Sequence, residues 1–186
     1  MGARNANASY RVTGRLAYGC TDLSAAWPHG GTGLGIAGKV YFNPPSQYAV
    51  TEREEDGSVG RVIYSGGRAV IGVDLLQWDD DAISICFPNT GAGSAGQLIQ
   101  YPGSGANGPL PGEDVASVSN LVFTPENDTE HPAIVLYKAF PVTETNQELR
   151  MSSYQVLTVR VLFLGTEDTN GRLAAMGILS DIPGVA

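Results

Sequence analysis

Residues 154–164 read Tyr-Gln-Val-Leu-Thr-Val-Arg-Val-Leu-Phe-Leu, and they give the strongest indication of the fold class. Apolar side chains occupy every second position from Leu157 to Phe163, which is the period of a β-strand with one face in a core. The alternate positions are also mostly apolar, although they include Arg160. We therefore expect a strand whose second face packs on a helix or on another subunit instead of facing open water.

Short apolar runs of the same kind recur along the whole chain. The 24 glycines and 11 prolines fall between runs rich in Val, Ile, Leu and Tyr, a pattern typical of many strands joined by turns. Strands are predicted at 14–19, 36–42, 48–55, 60–64, 68–76, 97–101, 119–124, 133–140, 147–152, 154–164 and 172–179. In the strand at 36–42, Ile36, Val40 and Phe42 are expected to share one face. The sequence predicts an all-β dominated fold, a β-sandwich or partly closed barrel.

One short α-helix is predicted near 79–87. Asp79, Asp80 and Asp81 precede apolar residues at helical spacing, Ile83, Cys86 and Phe87. Acidic side chains at a helix N-terminus satisfy free backbone amides and complement the helix dipole. A helix of about two turns is stable only when it packs on other structure, so we expect it against the sheet.

The 186 residues fit a single domain, 1–186, with an irregular N-terminal segment at 1–35 and a Gly/Pro-rich loop region at 89–114. The formal net charge of −8 disfavours nucleic-acid binding, which needs clustered Lys and Arg. Met1–Tyr10 is polar and reads as neither a signal peptide nor a membrane anchor, so synthesis in a cytoplasm is expected. Cys20 and Cys86 are interpreted as two reduced buried thiols, with a disulfide as the alternative.

The segments 48–55 and 60–64 flank Asp56-Gly57, a dipeptide suited to a hairpin turn. The tip of this hairpin is strongly polar and carries few apolar residues to anchor it. It comprises Glu52, Arg53, Glu54, Glu55, Asp56, Gly57 and Ser58. One interpretation is a solvated hairpin; the other is an arm that reaches a neighbouring subunit.

Patterns that would indicate catalysis or cofactor binding fail on their details. Residues 33–40 approach the phosphate-binding loop, but Val40 stands where a hydroxyl must hold magnesium, so glycine-rich turns leading into a strand are expected. The two histidines, His29 and His131, lie beside prolines in turn-like segments and no nucleophile motif accompanies them. The acidic clusters at 52–56, 79–81, 126–130 and 167–168 are interpreted as solvated surface. We expect no enzyme, no metal and no cofactor.

Two segments resemble the major tail tube protein of long-tailed, siphovirus-like bacteriophages. The first is Leu16–Ser24 followed by Pro28–Gly35, and the second is His131–Ala139 followed by the strand 154–164 and a last strand ending near Asp181. With the strand and helix at 68–87, the resemblance covers most of the chain.

The resemblance implies a structural virion protein of the tail. Hexameric rings of such subunits stack into a tube that conducts DNA without binding it specifically. Tape-measure and tail-completion proteins are the implied partners besides the chain itself, and no membrane partner is implied. The implied location is the virion tail, with genome ejection as the process served. An acidic subunit suits this task because a negative channel repels phosphates.

Two other functions remain open. The chain could be another tube-fold virion component, such as a tail terminator, a distal tail protein or the tube of a contractile system. Alternatively, it could be a β-sandwich module that binds a small molecule or glycan, for which exposed aromatic residues with convergent polar groups are the expected sign. The candidate aromatic residues are Trp27, Trp78, Tyr101 and Tyr137.

Overall fold

The computed structural model describes residues 13–43, 47–52, 59–66, 68–76, 79–87, 90–92, 98–100, 118–142, 148–151 and 156–185. Its main element is an antiparallel sheet of eight strands. These strands are β1 (Gly14–Tyr18), β2 (Thr32–Asn43), β5 (Ala69–Leu75), β8 (Ser119–Pro125), β9 (Ala133–Pro141), β10 (Glu148–Met151), β11 (Val156–Thr166) and β12 (Ala174–Gly177). The all-β prediction is confirmed, and eight of the predicted strands correspond to these.

Six of the strands close on themselves into a barrel. Their order is β11, β5, β2, β1, β8 and β9, and β9 returns to β11 through the pairs from Phe163–Pro141 to Thr166–Lys138. Strand β10 extends the sheet beside β11, and β12 extends it beside β9. Closure gives each of the six strands two hydrogen-bonded neighbours, so the fold is the barrel form of the predicted architecture.

The barrel interior is one apolar cluster to which β11 contributes as its sequence predicts. Val159, Val161 and Phe163 are buried in it, while Arg160, Leu162 and Leu164 on the other parity are half-buried. Other large members of this cluster include Leu16, Leu34, Ile71, Leu75, Leu121 and Leu136. The core therefore accounts for the apolar residues on one face of β11, but not for Leu162 and Leu164 on the other face.

Strand β2 differs from its prediction at its beginning and in its facing. It starts at Thr32, four residues before the expected start, so part of the glycine-rich stretch predicted as loop is strand. Its register shifts between Ala37 and Lys39 where it pairs with β5. Such a bulge reverses the facing of the residues before it relative to those after it. Ile36 is consequently 38% exposed, whereas Val40 and Phe42 pack against the core as predicted.

The predicted helix is present as α1, Asp80–Cys86, and its capping residue is as expected. The Asp79 carboxylate accepts a hydrogen bond of 2.8 Å from the Ala82 backbone N–H, three residues into the helix. Ala82 and Cys86 are buried in the barrel cluster, so the helix closes over the sheet by its apolar side. This packing supplies the stability that seven residues of helix lack alone.

Two hairpins form small sheets of their own. Strands β3 (Gln47–Glu52) and β4 (Val59–Gly66) pair antiparallel, which confirms the predicted hairpin; its tip, 53–58, lies outside the described residues. Strands β6 (Thr90–Ala92) and β7 (Leu98–Gln100) pair within the region predicted as a long loop. The strand at 97–101 is confirmed, and β6, which the sequence did not predict, is its partner.

A second apolar cluster lies on the outer side of β1, β8 and β9. Ala17, Val122 and Val135 belong to it, and they alternate with barrel-facing neighbours along the same strands. The chain covers these residues itself, with Cys20, Leu23 and Trp27 from the loop after β1 and with Leu179, Ile182 and Val185 from the C-terminal segment. We call this side the covered face.

Both cysteines are free and buried, so the interpretation as reduced thiols is confirmed. Burial raises the pKa of the Cys20 thiol to about 11 and that of Cys86 to about 12. Neither thiol is therefore a thiolate nucleophile near neutral pH.

Candidate functional site

The outer side of β2, β5 and β11 differs from the covered face because the second apolar cluster does not extend to it among the described residues. We call it the open face. Registers of the three strands place its residues in rows: Lys39, Asp74 and Arg160; Tyr41, Gly72 and Leu162; Asn43, Val70 and Leu164. Paired residues of antiparallel strands point to the same side of a sheet, so each row is a line of neighbouring side chains.

The open face presents apolar surface around one aromatic ring. Tyr41 is 49% exposed and lies flat over Gly72, where a Cβ atom would overlap the ring. Val70, Leu162 and Leu164 are half-buried beside it. Two more exposed apolar residues, Ile36 on β2 and Leu76 directly after β5, extend this surface. The Leu76 N–H donates a hydrogen bond to the Ile36 carbonyl. Aromatic and aliphatic surface of this kind is enriched in protein interfaces.

An ion pair crosses the open face between β5 and β11. The Arg160 Nε donates to Asp74 Oδ1 at 2.7 Å, and its Nη2 donates to Oδ2 at 3.2 Å, so the pair is bidentate. The two side chains retain 33% and 20% of their exposure. A planar, two-bond contact fixes both side chains in place, which gives the apolar surface a rigid polar border.

The predicted arm is connected in sequence to two strands of the open face. Strand β3 follows β2 and strand β4 precedes β5, and the hairpin they form is separate from the barrel sheet. Of the seven predicted arm residues, Glu52 ends β3 and the other six lie outside the described residues. The structure thus confirms the hairpin but not a contact of its tip.

A cavity of about 480 Å³ lies on the outer side of β1 and β2, next to the covered face. Arg15 and Trp27 line it together with Ile36, and the Arg15 guanidinium carbon lies 5.2 Å from the centroid of the Trp27 ring. The backbone places this ring, because a Cβ atom on Gly33 would overlap it. The Trp27 indole N–H is buried and, in the part of the chain that the structure describes, has no hydrogen-bond partner.

Of the other three aromatic candidates, Tyr137 is the one that the structure describes. Tyr137 is 6% exposed in the covered face, where Arg172 stacks 4.0 Å over its ring and its hydroxyl donates to the Pro183 carbonyl at 3.2 Å. Trp78 and Tyr101 lie outside the described residues. The structure therefore places one of the four candidates at a cavity and one in packed interior.

The histidine nearest this cavity has a structural role. His29 is buried, with Nδ1 2.8 Å from the Ala25 carbonyl oxygen and Nε2 2.8 Å from Thr124 Oγ1. The bond to Thr124 ties the loop after β1 to β8, and the bond to Ala25 lies within that loop. Residues 33–40, the near-match to a phosphate loop, lie inside β2, so the predicted strand is confirmed. The glycine-rich turns expected before it are not present, because the strand already begins at Thr32 and pairs there with β1.

The acidic clusters divide into two kinds. Residues 126–130 are exposed, as predicted. Asp168 is not solvated surface, since its side chain is 8% exposed and lies 2.7 Å from Arg172 Nη2. The prediction for 167–168 was wrong at Asp168 because Arg172, four residues later, supplies a partner that the charge pattern alone did not reveal. In the described ranges, no three metal-ligating side chains come together and no helix is long and apolar enough to cross a membrane.

Sequence reasoning found Arg160 but missed the residues that complete its surroundings. Tyr41 and Asp74 belong to strands that were predicted, yet their position beside β11 depends on strand order. Arg15 gave no signal, because a lone arginine in a strand has no preferred role. Its contact with Trp27 depends on the path of the loop after β1.

No protein-family model matches the sequence, and no curated protein matches it. Among solved structures, the chain is similar to the sheath/tube terminator of an extracellular contractile injection system, PVC, determined by cryo-EM in the extended state. The similarity covers 95% of this chain and 99% of that chain, with 10% sequence identity and a TM-score of 0.43. At this similarity the two proteins need not share a function, so function is inferred from the chain's own surfaces.

Proposed function

We propose that this chain is a structural subunit that assembles with copies of itself, without enzymatic activity, and that its assembly is the tube of a bacteriophage tail. The open face is the observation that carries the proposal. Tyr41, Leu162 and Leu164 present apolar surface on a barrel whose opposite side the chain covers itself. A stable interface buries about 800 Å² on each partner, with aromatic and aliphatic residues at its centre.

Open sheet edges support the same proposal. Strands β10 and β12 are the two ends of the eight-stranded sheet, and each has one hydrogen-bonded neighbour among the described strands. Unpaired backbone groups on an edge favour pairing with another chain. Because the two edges belong to different strands, a contact between them is head-to-tail and generates a ring when the rotation closes.

The acidic composition fits a conduit for DNA. A formal charge of −8 on each subunit places many carboxylates on the assembly and few cations to bind phosphates. DNA would pass such a surface without specific contacts. Hexameric rings, genome ejection, a virion location, and the tape-measure and completion proteins as partners all belong to this proposal and follow from the resemblance in the sequence.

Electron microscopy of the purified protein at high concentration, with its mass measured by light scattering, tests the proposal. Striated tubes are expected from a tube subunit because it adds rings without limit. Single closed rings that never stack would instead indicate a terminator-like component. A protein that stays monomeric across the accessible concentration range would contradict self-assembly through the open face.

A further inference from the structure

The cavity beside Arg15 and Trp27 is a second candidate binding site, which adjoins the open face at Ile36. A second cavity of about 240 Å³ shares Arg15, Trp27 and Ile36 with it and reaches Asp79 at its far side. The two cavities together form an elongated cleft along the outside of β1 and β2. Ligand sites of small molecules commonly begin at a few hundred Å³, so the larger cavity alone is of sufficient size.

Charged groups of both signs line this cleft. Arg15 is exposed, and its guanidinium stacks on the Trp27 ring. It forms no ion pair with any other described residue. Glu126 and Asp128 line the same cavity. Thr13 holds Glu126 in place, because its hydroxyl donates to Oε2 at 2.8 Å and its carbonyl accepts the Glu126 N–H at 3.0 Å.

This mixture disfavours ligands that carry charge of one sign only. An anion attracted by Arg15 meets the carboxylates of Glu126 and Asp128, while a cation attracted by those carboxylates meets Arg15. A neutral ligand that both donates and accepts hydrogen bonds suits all three groups. Hydroxyl groups do this, since each one can donate to a carboxylate and accept from a guanidinium.

The apolar residues of the cleft indicate that the ligand also has apolar surface. The Trp27 ring, the partly exposed Ile36 and the buried Pro125 line the cleft beside its charged groups. A ligand with apolar C–H surface between its hydroxyl groups matches these walls, and cavities of about 480 and 240 Å³ suit more than one ring. We propose that the cleft binds a neutral saccharide of two or three sugar units, with Trp27 against the C–H surface and Arg15, Glu126 and Asp128 on its hydroxyls.

Titration of the full chain with maltotriose, cellotriose and chitotriose, followed by tryptophan emission and by saturation-transfer NMR, tests the site. At least one trisaccharide is expected to give a saturable change, while acetate, tetramethylammonium and leucine give none. Trp27→Phe should remove the emission change, which assigns the signal to Trp27 and not to Trp78. NMR detects binding in that variant independently of its emission.

Exposed residues supply variants that are expected to keep the fold. Asp128→Asn and Arg15→Gln should each weaken saccharide binding by about tenfold, the usual effect of losing one charge-assisted hydrogen bond. Glu130→Gln is the matched control, because Glu130 lies in the same exposed turn but does not line the cleft. The proposal is overturned when no trisaccharide binds, when leucine or either ion binds in their place, or when Asp128→Asn and Arg15→Gln bind as the wild type does.

Discussion

The covered face and the open face of the barrel each contain a tyrosine, but the two side chains differ in their exposure to solvent. Tyr137 on β9 is 6% exposed beneath the C-terminal segment, and Tyr41 on β2 is 49% exposed. Both rings point outward from the barrel. Two segments, the loop after β1 and the C-terminal segment, cover Tyr137 and its neighbours. Tyr41, by contrast, remains half exposed to solvent. Because of this difference, we propose the open face as the surface that contacts another subunit.

Tyr137→Ala should produce the largest loss of stability. The change removes a buried ring, its hydrogen bond to Pro183 and its contact with Arg172. Truncation of a buried aromatic residue costs about 3–5 kcal/mol. Urea unfolding followed by circular dichroism measures this loss; a change below that of Tyr41→Ala would contradict the distinction between the faces.

Asn120→Ala should destabilise the covered face by a smaller amount. The Asn120 side chain accepts the Cys20 N–H at 2.7 Å and donates to the Cys20 carbonyl at 2.8 Å, both in the interior. Leaving buried backbone groups without partners costs about 1–3 kcal/mol. Hydrogen exchange should become faster at Cys20 and in the loop that follows it. Asn127→Ala, at an exposed position, is the control.

Asp168 should make the covered face sensitive to acid. Partial desolvation raises the pKa of the Asp168 carboxyl, but hydrogen bonds from the Arg172 backbone and guanidinium and from the Asn170 backbone outweigh it, so the net pKa lies below its ordinary 3.8. A lowered folded-state pKa stabilises the protein above pH 3.8, and this contribution is lost as pH falls through the folded value.

Melting temperatures of the wild type and Asp168→Asn, measured from pH 7 down to about pH 3, should therefore converge at the acid end. Asp181→Asn, a substitution at an exposed aspartate outside the Asp168–Arg172 pair, is the matched control. Parallel curves for the wild type and Asp168→Asn would disprove the role of the Asp168–Arg172 pair.

Tyr41→Ala should change the subunit's stability little while preventing assembly. The ring is half in solvent, and surface substitutions usually shift stability by about 0.5 kcal/mol or less. Loss of an aromatic residue at the centre of an interface typically costs about 2 kcal/mol or more of binding. Light scattering should show smaller particles than the wild type with an unchanged melting temperature. Normal tubes from Tyr41→Ala would remove the open face from the proposed interface.

Removal of the hairpin tip should have the smallest effect on the fold. Thr51 pairs with Arg61, so replacing residues 52–60 by Asn-Gly leaves a two-residue turn and removes Glu52–Ser58. Rings are expected to form from this variant but not to stack, as visible by electron microscopy, since the arm is proposed to contact the next ring. Tubes of normal length would show that the hairpin is only solvated surface.

Much of the fold followed from local chemistry. Alternation in 154–164 predicted the core-facing residues of β11, and the aspartate run predicted the helix with its Asp79 cap. These features depend on neighbours within a few residues. The facing of Ile36 could not be predicted, because a bulge in β2 reverses the alternation only once β5 is paired beside it.

Periodicity, turn chemistry and composition were sufficient to predict many strands, one capped helix, a polar-tipped hairpin and two buried thiols. Only the folded structure shows that the barrel closes through β9 and β11, that Asp74 meets Arg160, that Arg15 stacks on Trp27, and which outer side carries the second apolar cluster. The physical reason is that these contacts join residues distant in sequence, and no local pattern encodes which distant strand becomes the neighbour.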